Sequence, residues 1–200
     1  MFEFIQSLDT RLLIATRPIV DLNSPWQVFA VRLFADIHVF ASMVVMVGLW
    51  LYGSFHQEET SKREALSLFF ATAFAFGIYW ILDLGLPVRP RPELTNTVKP
   101  LIKHIPDNSF PSGHAIYAGA TVTAAFLFLR NKAIAWFLLV LGMLMALCRV
   151  VAGIHYPGDI IAGAPIGVGS AYLFRNFLRF RLIREDFYIW PIRLAKLLKL

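Results

Sequence analysis

The stretch RVVAGIHYPGD, residues 149–159, combines a guanidinium, an imidazole and a carboxylate at the point where one apolar run ends and another begins. Charged groups beside long apolar segments are costly to keep, so this position indicates a functional site. His155 and Asp159 stand four residues apart, and on one helical face the carboxylate would accept a proton from one imidazole nitrogen. The other nitrogen would keep its lone pair and could attack phosphorus or take a proton. The alternative is a His and Arg pair that only reaches the membrane headgroups.

The stretch SFPSGH, residues 109–114, lies directly before another apolar run and has the composition of a helix start. Pro111, Ser112 and Gly113 suit an opening turn, whose unpaired N–H groups and positive dipole end attract anions. His114 would stand beside such an anion and could give a proton to a departing oxygen. Taken alone, the stretch could also be an ordinary helix cap.

A third stretch, VRPRP at residues 88–92, carries Arg89 and Arg91 on a backbone that the prolines stiffen. Arginine is the usual bidentate partner of phosphate, although a cationic rim beside a membrane is commonly only a headgroup contact. If the fold brings the three stretches to one face, their side chains predict a site for phosphoryl chemistry.

The composition is that of an integral membrane protein. Of 200 residues, 58% are hydrophobic and 16% are charged, and the mean hydropathy is +0.61. The net charge of +6 would raise nucleic acid as a partner of a soluble protein. Here the basic residues crowd into short loops and the C-terminal segment, which favours anionic lipid and argues against nucleic acid. The single cysteine, Cys148, excludes an intramolecular disulfide.

The apolar pattern predicts an all-α, polytopic membrane helix bundle that forms a single domain over residues 1–200. Five spanning helices are expected, at 28–55, 65–86, 111–129, 133–151 and 157–174. Small residues in the last of them would let it pack closely, and Pro165 should kink it. In the first, Arg32 and Asp36 stand four apart and are expected to pair, with a role near the site as the alternative.

Both ends of the chain are expected to lie in the membrane interface. Residues 1–25 form an interfacial segment whose first 18 residues read as an amphipathic helix, with Leu8, Leu12 and Leu13 on the apolar side and Asp9 on the polar side. Residues 176–200 read as a basic amphipathic tail that lies on an anionic membrane face.

The distribution of charge predicts the orientation of the bundle. The loops 56–64 and 130–132 and the C-terminal segment hold eleven of the nineteen Lys and Arg residues, so they should be cytoplasmic. The N-terminus, the three site stretches and the proline-punctuated loop that ends near residue 110 would then lie at the outer face. A loop of that length beside a site could cover it.

In their order and spacing, the RP at 91–92, the PSGH at 111–114 and the R-x5-H-x3-D at 149–159 resemble the signature of the type 2 phosphatidic acid phosphatase superfamily. The resemblance covers residues 65–175. It implies that His155 is a nucleophile that forms a phosphohistidine, that Asp159 orients it, and that His114 is the general acid and then the base. The phosphoryl oxygens would be held by Arg91, Arg149, Ser112 and the backbone N–H of Gly113. Neither a metal nor another cofactor is implied.

The sequence departs from the family pattern at two positions. Leu84 stands where the family often has a lysine, and Cys148 stands where a serine is usual. Arg89, Lys99 or Lys103 could replace the missing cation, since all three belong to the same outer loop.

Length, five spans and the absent lysine are similar to the bacitracin-resistance branch of the superfamily, which hydrolyses undecaprenyl diphosphate. That resemblance implies a bacterial cytoplasmic membrane protein whose site faces outward and whose partner is a membrane lipid. The alternative substrates are phosphatidylglycerophosphate, phosphatidic acid and the 1-phosphate of lipid A. Outside the lipid phosphatases, the alternatives are a transporter with a proton relay through His114, His155 and Asp159, a haloperoxidase, which would be soluble, and a non-catalytic lipid-binding relative.

Overall fold

The computed structural model describes residues 2–95, 97–102, 108–179 and 187–193. Within these ranges the chain is helical, and its elements follow one another as α1 (Phe2–Thr16), a 3₁₀ turn (Arg17–Ile19), α2 (Pro25–Phe34), α3 (Ile37–Phe55), α4 (Glu59–Gly85), α5 (Gly113–Phe128), α6 (Lys132–Val151) and α7 (Pro157–Leu178). Residues 187–193 form a further short helix, α8. The all-α expectation is therefore confirmed for the described residues.

Helices α3 to α7 run back and forth through one bundle, and the shared core consists of apolar side chains from these helices, among them Leu68, Ala71, Ala124, Leu138 and Phe174. The closest helix pair is α5 with α7. A Cβ on Gly163 would lie only 2.8 Å from the carbonyl oxygen of Ser112, so only glycine permits this approach. The small residues of α7 thus hold the start of α5 against the start of α7, as their pattern predicts.

Three of the described helices are long and apolar enough to cross a membrane: α3, α4 and α6. Helix α5 is apolar but has 16 residues, which is about 24 Å of helix against the roughly 30 Å of a bilayer core. Helix α7 also packs in the bundle. Its mean hydropathy is lower than that of α3 and α6, because it contains several glycines and Pro165. The membrane-spanning character is confirmed, whereas a total of five spans stays a prediction.

The predicted first span over 28–55 is wrong at its N-terminal end. The helix breaks at Ala35 and Asp36, and the preceding α2 packs on the end of α6, where Val31 contacts the cluster around Val151. The expected pair between Arg32 and Asp36 does not form. Arg32 Nε instead donates to the Leu101 carbonyl at 2.7 Å, and Asp36 turns toward other partners. Asp36, at the break, contacts His114 and Arg149 of the bundle.

The terminal segments pack on the bundle more than their amphipathic patterns predict. In α1, Leu13 and Asp9 are buried, while Leu8 and Leu12 are exposed, so the assignment of Asp9 to the outer, polar side is wrong. Ion pairing with the bundle turns this carboxylate inward.

At the other end, the tail predicted to lie on the membrane contributes α8 to the core, because Tyr188 and Ile192 are buried there. The Tyr188 hydroxyl and Ser67 Oγ lie 2.8 Å apart. The rest of the predicted tail beyond residue 179 lies outside the described residues.

Candidate active site

His155 lies in the short connection between α6 and α7 and is 1% exposed. The chain turns toward it at Gly153, whose φ of +75° favours glycine. His155 Nδ1 lies 3.0 Å from the Ser109 carbonyl oxygen, and Nε2 lies 3.1 Å from Nη1 of Arg91. The carbonyl can only accept and the guanidinium can only donate, so both contacts require the tautomer with a proton on Nδ1. The Nε2 lone pair is therefore available to an electrophile that takes the place of the Arg91 contact.

Asp159 does not orient His155 in the way the i, i+4 spacing predicts. His155 precedes α7, so the two residues do not share a helical face, and Nδ1 lies 3.6 Å from Asp159 Oδ2, too far for a hydrogen bond. That oxygen accepts instead from Ser109 Oγ at 2.5 Å and from the Tyr156 backbone N–H at 2.9 Å. The carboxylate thus fixes Ser109, and the Ser109 carbonyl fixes the imidazole.

The surroundings of His155 favour its neutral form. Burial away from water, followed by the positive charges of Arg91 and Arg149, lowers the pKa of His155 well below its ordinary value. A neutral imidazole is the form that can act as a nucleophile, so burial keeps it competent at neutral pH.

Arg91 and Arg149 are almost completely buried, at 3% and 2% exposed. Arg91 Nη1 donates to the Ile154 carbonyl at 2.7 Å, which holds this arginine beside His155. Arg149, in the last turn of α6, donates to Asp36 Oδ1 at 2.8 Å and to the Ala35 carbonyl at 3.2 Å. Buried arginines held in this way provide fixed positive charge for an oxyanion.

Helix α5 begins at the SFPSGH stretch, as predicted. Ser112 is its N-cap and is fully buried, and its side chain accepts from the Ala115 backbone N–H at 3.4 Å. The Ser112 backbone N–H donates to the Asp159 carbonyl at 3.1 Å, which joins the SFPSGH stretch to the RVVAGIHYPGD stretch. The N–H of Gly113 lies in the first turn, where helix N–H groups have no helical acceptor.

His114 has a partner that the sequence did not reveal. Its Nε2 lies 3.2 Å from Asp36 Oδ1, the same oxygen that accepts from Arg149. The hydrogen bond from His114, and then the charge of Arg149, hold the pKa of Asp36 below its ordinary value. A carboxylate in this place stabilises the protonated form of His114. The available signal is the position of Asp36 just before the apolar stretch of α3, for which the sequence predicts either a pair with Arg32 or a role near the site.

Arg89, Lys99 and Lys103 are the three residues that could replace the lysine absent at Leu84. Arg89 is bound to two carboxylates, Asp9 and Asp159, at 2.6 Å each, so it is not directed toward the phosphate site. Lys99 is exposed, and its backbone carbonyl accepts a hydrogen bond from Arg17. Lys103 lies outside the described residues. No replacement for the lysine expected at Leu84 is therefore assigned among the described residues.

A cavity of about 580 Å³ opens from the site into the space between α3 and α4. Its polar end holds His155, His114, Arg91 and Gly113. Its walls are largely apolar and include Val39, Met43, Val47, Phe69, Ala73 and Phe76. Such a cavity suits a ligand with an anionic head and an apolar chain.

Comparisons with known proteins show the family to which the chain belongs. A model of the PAP2 superfamily matches residues 64–183, more than half of the chain. Undecaprenyl-diphosphatase BcrC of Bacillus subtilis (strain 168) is 30% identical over 139 residues, which are 70% of this chain and 68% of that protein. Bacitracin transport permease protein BcrC of Bacillus licheniformis is 45% identical over 164 residues, which are 78% and 75% of the two chains.

A solved structure has the same fold. The crystal structure of a transmembrane PAP2 type phosphatidylglycerolphosphate phosphatase from Bacillus subtilis superposes with a TM-score of 0.67 at 19% identity, over 88% of this chain and 89% of that one. The chain therefore belongs to the PAP2 superfamily and is a membrane lipid phosphatase of that family.

Proposed function

We propose that the protein hydrolyses undecaprenyl diphosphate to undecaprenyl phosphate at the outer face of the bacterial cytoplasmic membrane, through a phosphohistidine at His155. The observation that carries the proposal is the cavity, which joins the histidines and Arg91 at one end to an apolar space between α3 and α4. A lipid phosphate has the same two parts, a multiply charged head and a hydrocarbon chain.

The arrangement around His155 supports an in-line attack on phosphorus. The Nε2 lone pair forms a bond to the terminal phosphorus while the bond from that phosphorus to the bridging oxygen breaks. Arg91, which donates to Nε2 at 3.1 Å, would transfer that hydrogen bond to a phosphoryl oxygen as the substrate enters. The Gly113 N–H, the Ser112 hydroxyl and Arg149 would complete the set of donors for the developing charge.

His114 supplies and then recovers the proton. In the first step the leaving oxygen takes a proton from His114, whose Nε2 lies 3.2 Å from Asp36 Oδ1. In the second step water attacks the phosphohistidine, and His114 takes a proton from that water. Inorganic phosphate leaves, and both histidines return to their starting forms.

The choice of lipid rests on the relatives. The undecaprenyl-diphosphatase of B. subtilis supports a polyprenyl diphosphate. Phosphatidylglycerophosphate, phosphatidic acid and the 1-phosphate of lipid A have the same chemistry at phosphorus, so they are the competing substrates. The basic C-terminal segment supports contact with anionic lipid at the cytoplasmic face.

The test is phosphate release by the purified protein from undecaprenyl diphosphate and, in parallel, from phosphatidic acid and phosphatidylglycerophosphate, with EDTA present. We expect the diphosphate to be turned over fastest, with activity retained in EDTA. His155→Ala should lower kcat about 10⁴-fold or more. His56→Ala is the matched control, since this exposed histidine lies at the opposite end of α3.

Each result separates one part of the proposal from the others. Faster hydrolysis of a phospholipid would retain the chemistry and reject the polyprenyl substrate. Loss of activity in EDTA would reject the metal-free mechanism. A folded protein that hydrolyses none of these lipids would favour a transport role, which the name of the B. licheniformis relative carries.

A further inference from the structure

A buried carboxylate joins α1 to the first turn of α7, beside the proposed nucleophile. Asp9 is 5% exposed. Its Oδ1 accepts from the Gly158 backbone N–H at 2.7 Å, and its Oδ2 accepts from Nη2 of Arg89 at 2.6 Å. A Cβ added to Gly158 would lie 2.6 Å from Asp9 Oδ2, so the two segments are in direct contact. Charge-assisted hydrogen bonds of this kind fix a side chain in one position.

Arg89 carries the connection from Asp9 onward to Asp159. Its Nη1 donates to Asp159 Oδ1 at 2.6 Å, and its guanidinium lies 4.2 Å from the centre of the Tyr156 ring. The side chain is 16% exposed. One planar guanidinium thus bridges two buried carboxylates while it stacks on an aromatic ring, a geometry that an ammonium group cannot reproduce.

The hydrogen bond from Arg89 determines which oxygen of Asp159 is available to the groups that hold His155. Because Oδ1 is taken by Arg89, Oδ2 is left for Ser109 Oγ and for the Tyr156 N–H. The Ser109 carbonyl then accepts the proton on Nδ1 of His155. A continuous chain of hydrogen bonds and backbone runs from α1 to the imidazole, and each member is at least largely buried.

We infer that Asp9 and Arg89 are positioning residues for His155, and that α1 is a part of the catalytic unit. Arg89 acts through Asp159 and Ser109 and does not bind the phosphate. This inference rests on the proposed role of His155 as nucleophile. It predicts that a change at Asp9 of α1, which is not among the described residues that line the cavity, alters the rate of the chemical step.

The experiment compares Asp9→Asn, Gly158→Ala and Arg89→Lys with the wild-type full-length protein in detergent, using undecaprenyl diphosphate. Gly158→Ala keeps every charge, and the three atoms nearest to the added Cβ all belong to the Asp9 carboxylate. We expect kcat to fall about 10- to 100-fold in each variant, with KM within about twofold, because a misplaced nucleophile slows chemistry more than binding. Asp9→Asn combined with Arg89→Lys should lose little more than Arg89→Lys alone, since both act through one chain of contacts.

Asp21→Asn is the matched control, because Asp21 is an exposed acid of the same N-terminal segment and should leave kcat unchanged. Wild-type kcat in both Asp9→Asn and Gly158→Ala would overturn the inference. A raised KM with unchanged kcat in Arg89→Lys would also overturn it and would make Arg89 a phosphate ligand. If Asp9→Asn does not fold, Gly158→Ala decides the question.

A readout without turnover separates this inference from the proposed function. In protein with ¹⁵N-labelled histidine, the resonances missing from His155→Ala identify His155, and their shifts report its tautomer. We expect a single Nδ1–H form in the wild type and a mixture in Asp9→Asn. An unchanged tautomer would contradict the positioning role, whereas a wild-type protein without lipid phosphatase activity would contradict only the proposed function.

Discussion

The two ends of the helix bundle both gather arginines and carboxylates, but they differ in burial and in what the arginines contact. At the end formed by α4 and the α5–α6 turn, Arg130 is 57% exposed and pairs with Glu58 at 2.8 Å and Glu64 at 3.0 Å. At the other end, Arg91 and Arg149 are 3% and 2% exposed. Arg91 there contacts a histidine and a backbone carbonyl beside the cavity.

This difference separates a structural use of charge from a functional one. Exposed ion pairs close a helix turn in water, where screening and side-chain entropy keep their contribution small. A buried guanidinium is costly to keep out of water, and Arg91 is held beside His155 by its hydrogen bond to the Ile154 carbonyl. A fixed, desolvated cation is what a phosphoryl group needs, because water no longer competes for its charge.

Among the changes that test this comparison, removal of a buried arginine should have the largest effect on kcat/KM. Arg91→Ala should lower kcat/KM about 10²- to 10³-fold, since one preorganised donor at the reacting phosphate is lost. Arg91→Lys should recover only part of it, because an ammonium cannot donate to the Ile154 carbonyl and a phosphoryl oxygen with the same fixed geometry. Phosphate release from the lipid substrate measures both variants.

Arg63→Ala provides the control for that measurement, since Arg63 is half exposed in α4 and pairs with Glu59 at 3.8 Å. It should retain wild-type kinetics. Equal losses in Arg63→Ala and Arg91→Ala, in proteins that remain folded, would remove the distinction between the two ends.

A smaller effect is expected at Asp36, which contacts the proposed general acid without lining the cavity. Asp36→Asn removes the charge that stabilises protonated His114 and should lower kcat about 10-fold. The acid limits the rate most when the leaving oxygen is basic, so the loss should be larger for a phosphate monoester than for a diphosphate. The alkaline limb of kcat/KM should move to lower pH, because His114 loses its proton more readily.

Steady-state rates for both lipid classes across pH measure this change, with Asp21→Asn as the exposed carboxylate control. An equal loss for both leaving groups, with an unshifted alkaline limb, would assign Asp36 to holding Arg149 and not to the acid.

The part of the site that lies in the three short stretches could be predicted from the sequence. Its residues are recognisable because their chemistry is local, as in the cap at Ser112 and the turn at His155. The helices that carry them follow from continuous apolar runs, so their ends agree to within a few residues for α5 and α6.

The partners that lie far away in the chain could not be predicted. Asp36 and Arg149 are 113 positions apart, and Asp9 and Gly158 are 149 apart, so no local periodicity reports these contacts. In the sequence, Asp9 has the position of an ordinary polar residue of an amphipathic segment, and Asp36 has a nearer candidate partner in Arg32. The prediction of a hydrogen bond between His155 and Asp159 is wrong for a related reason. Ser109, which belongs to another stretch, lies between the two residues, since its carbonyl contacts His155 and its hydroxyl donates to Asp159.

The smallest effect is expected at the exposed end. Arg130→Ala removes two ion pairs and a hydrogen bond to Ser61 at 3.3 Å, but Arg130 lies in water and the backbone N–H of the turn still donates to Glu64 at 2.9 Å. We expect kcat and KM within about twofold of wild type and a slightly lower Tm whose difference shrinks in high salt, as for a screened surface pair. Thermal unfolding in detergent at two salt concentrations, with lipid hydrolysis at each, measures both. A loss of kcat comparable to that of Arg91→Ala would mean that the charges at this end act on the site through the bundle, and burial would then no longer separate functional from structural arginines in this protein.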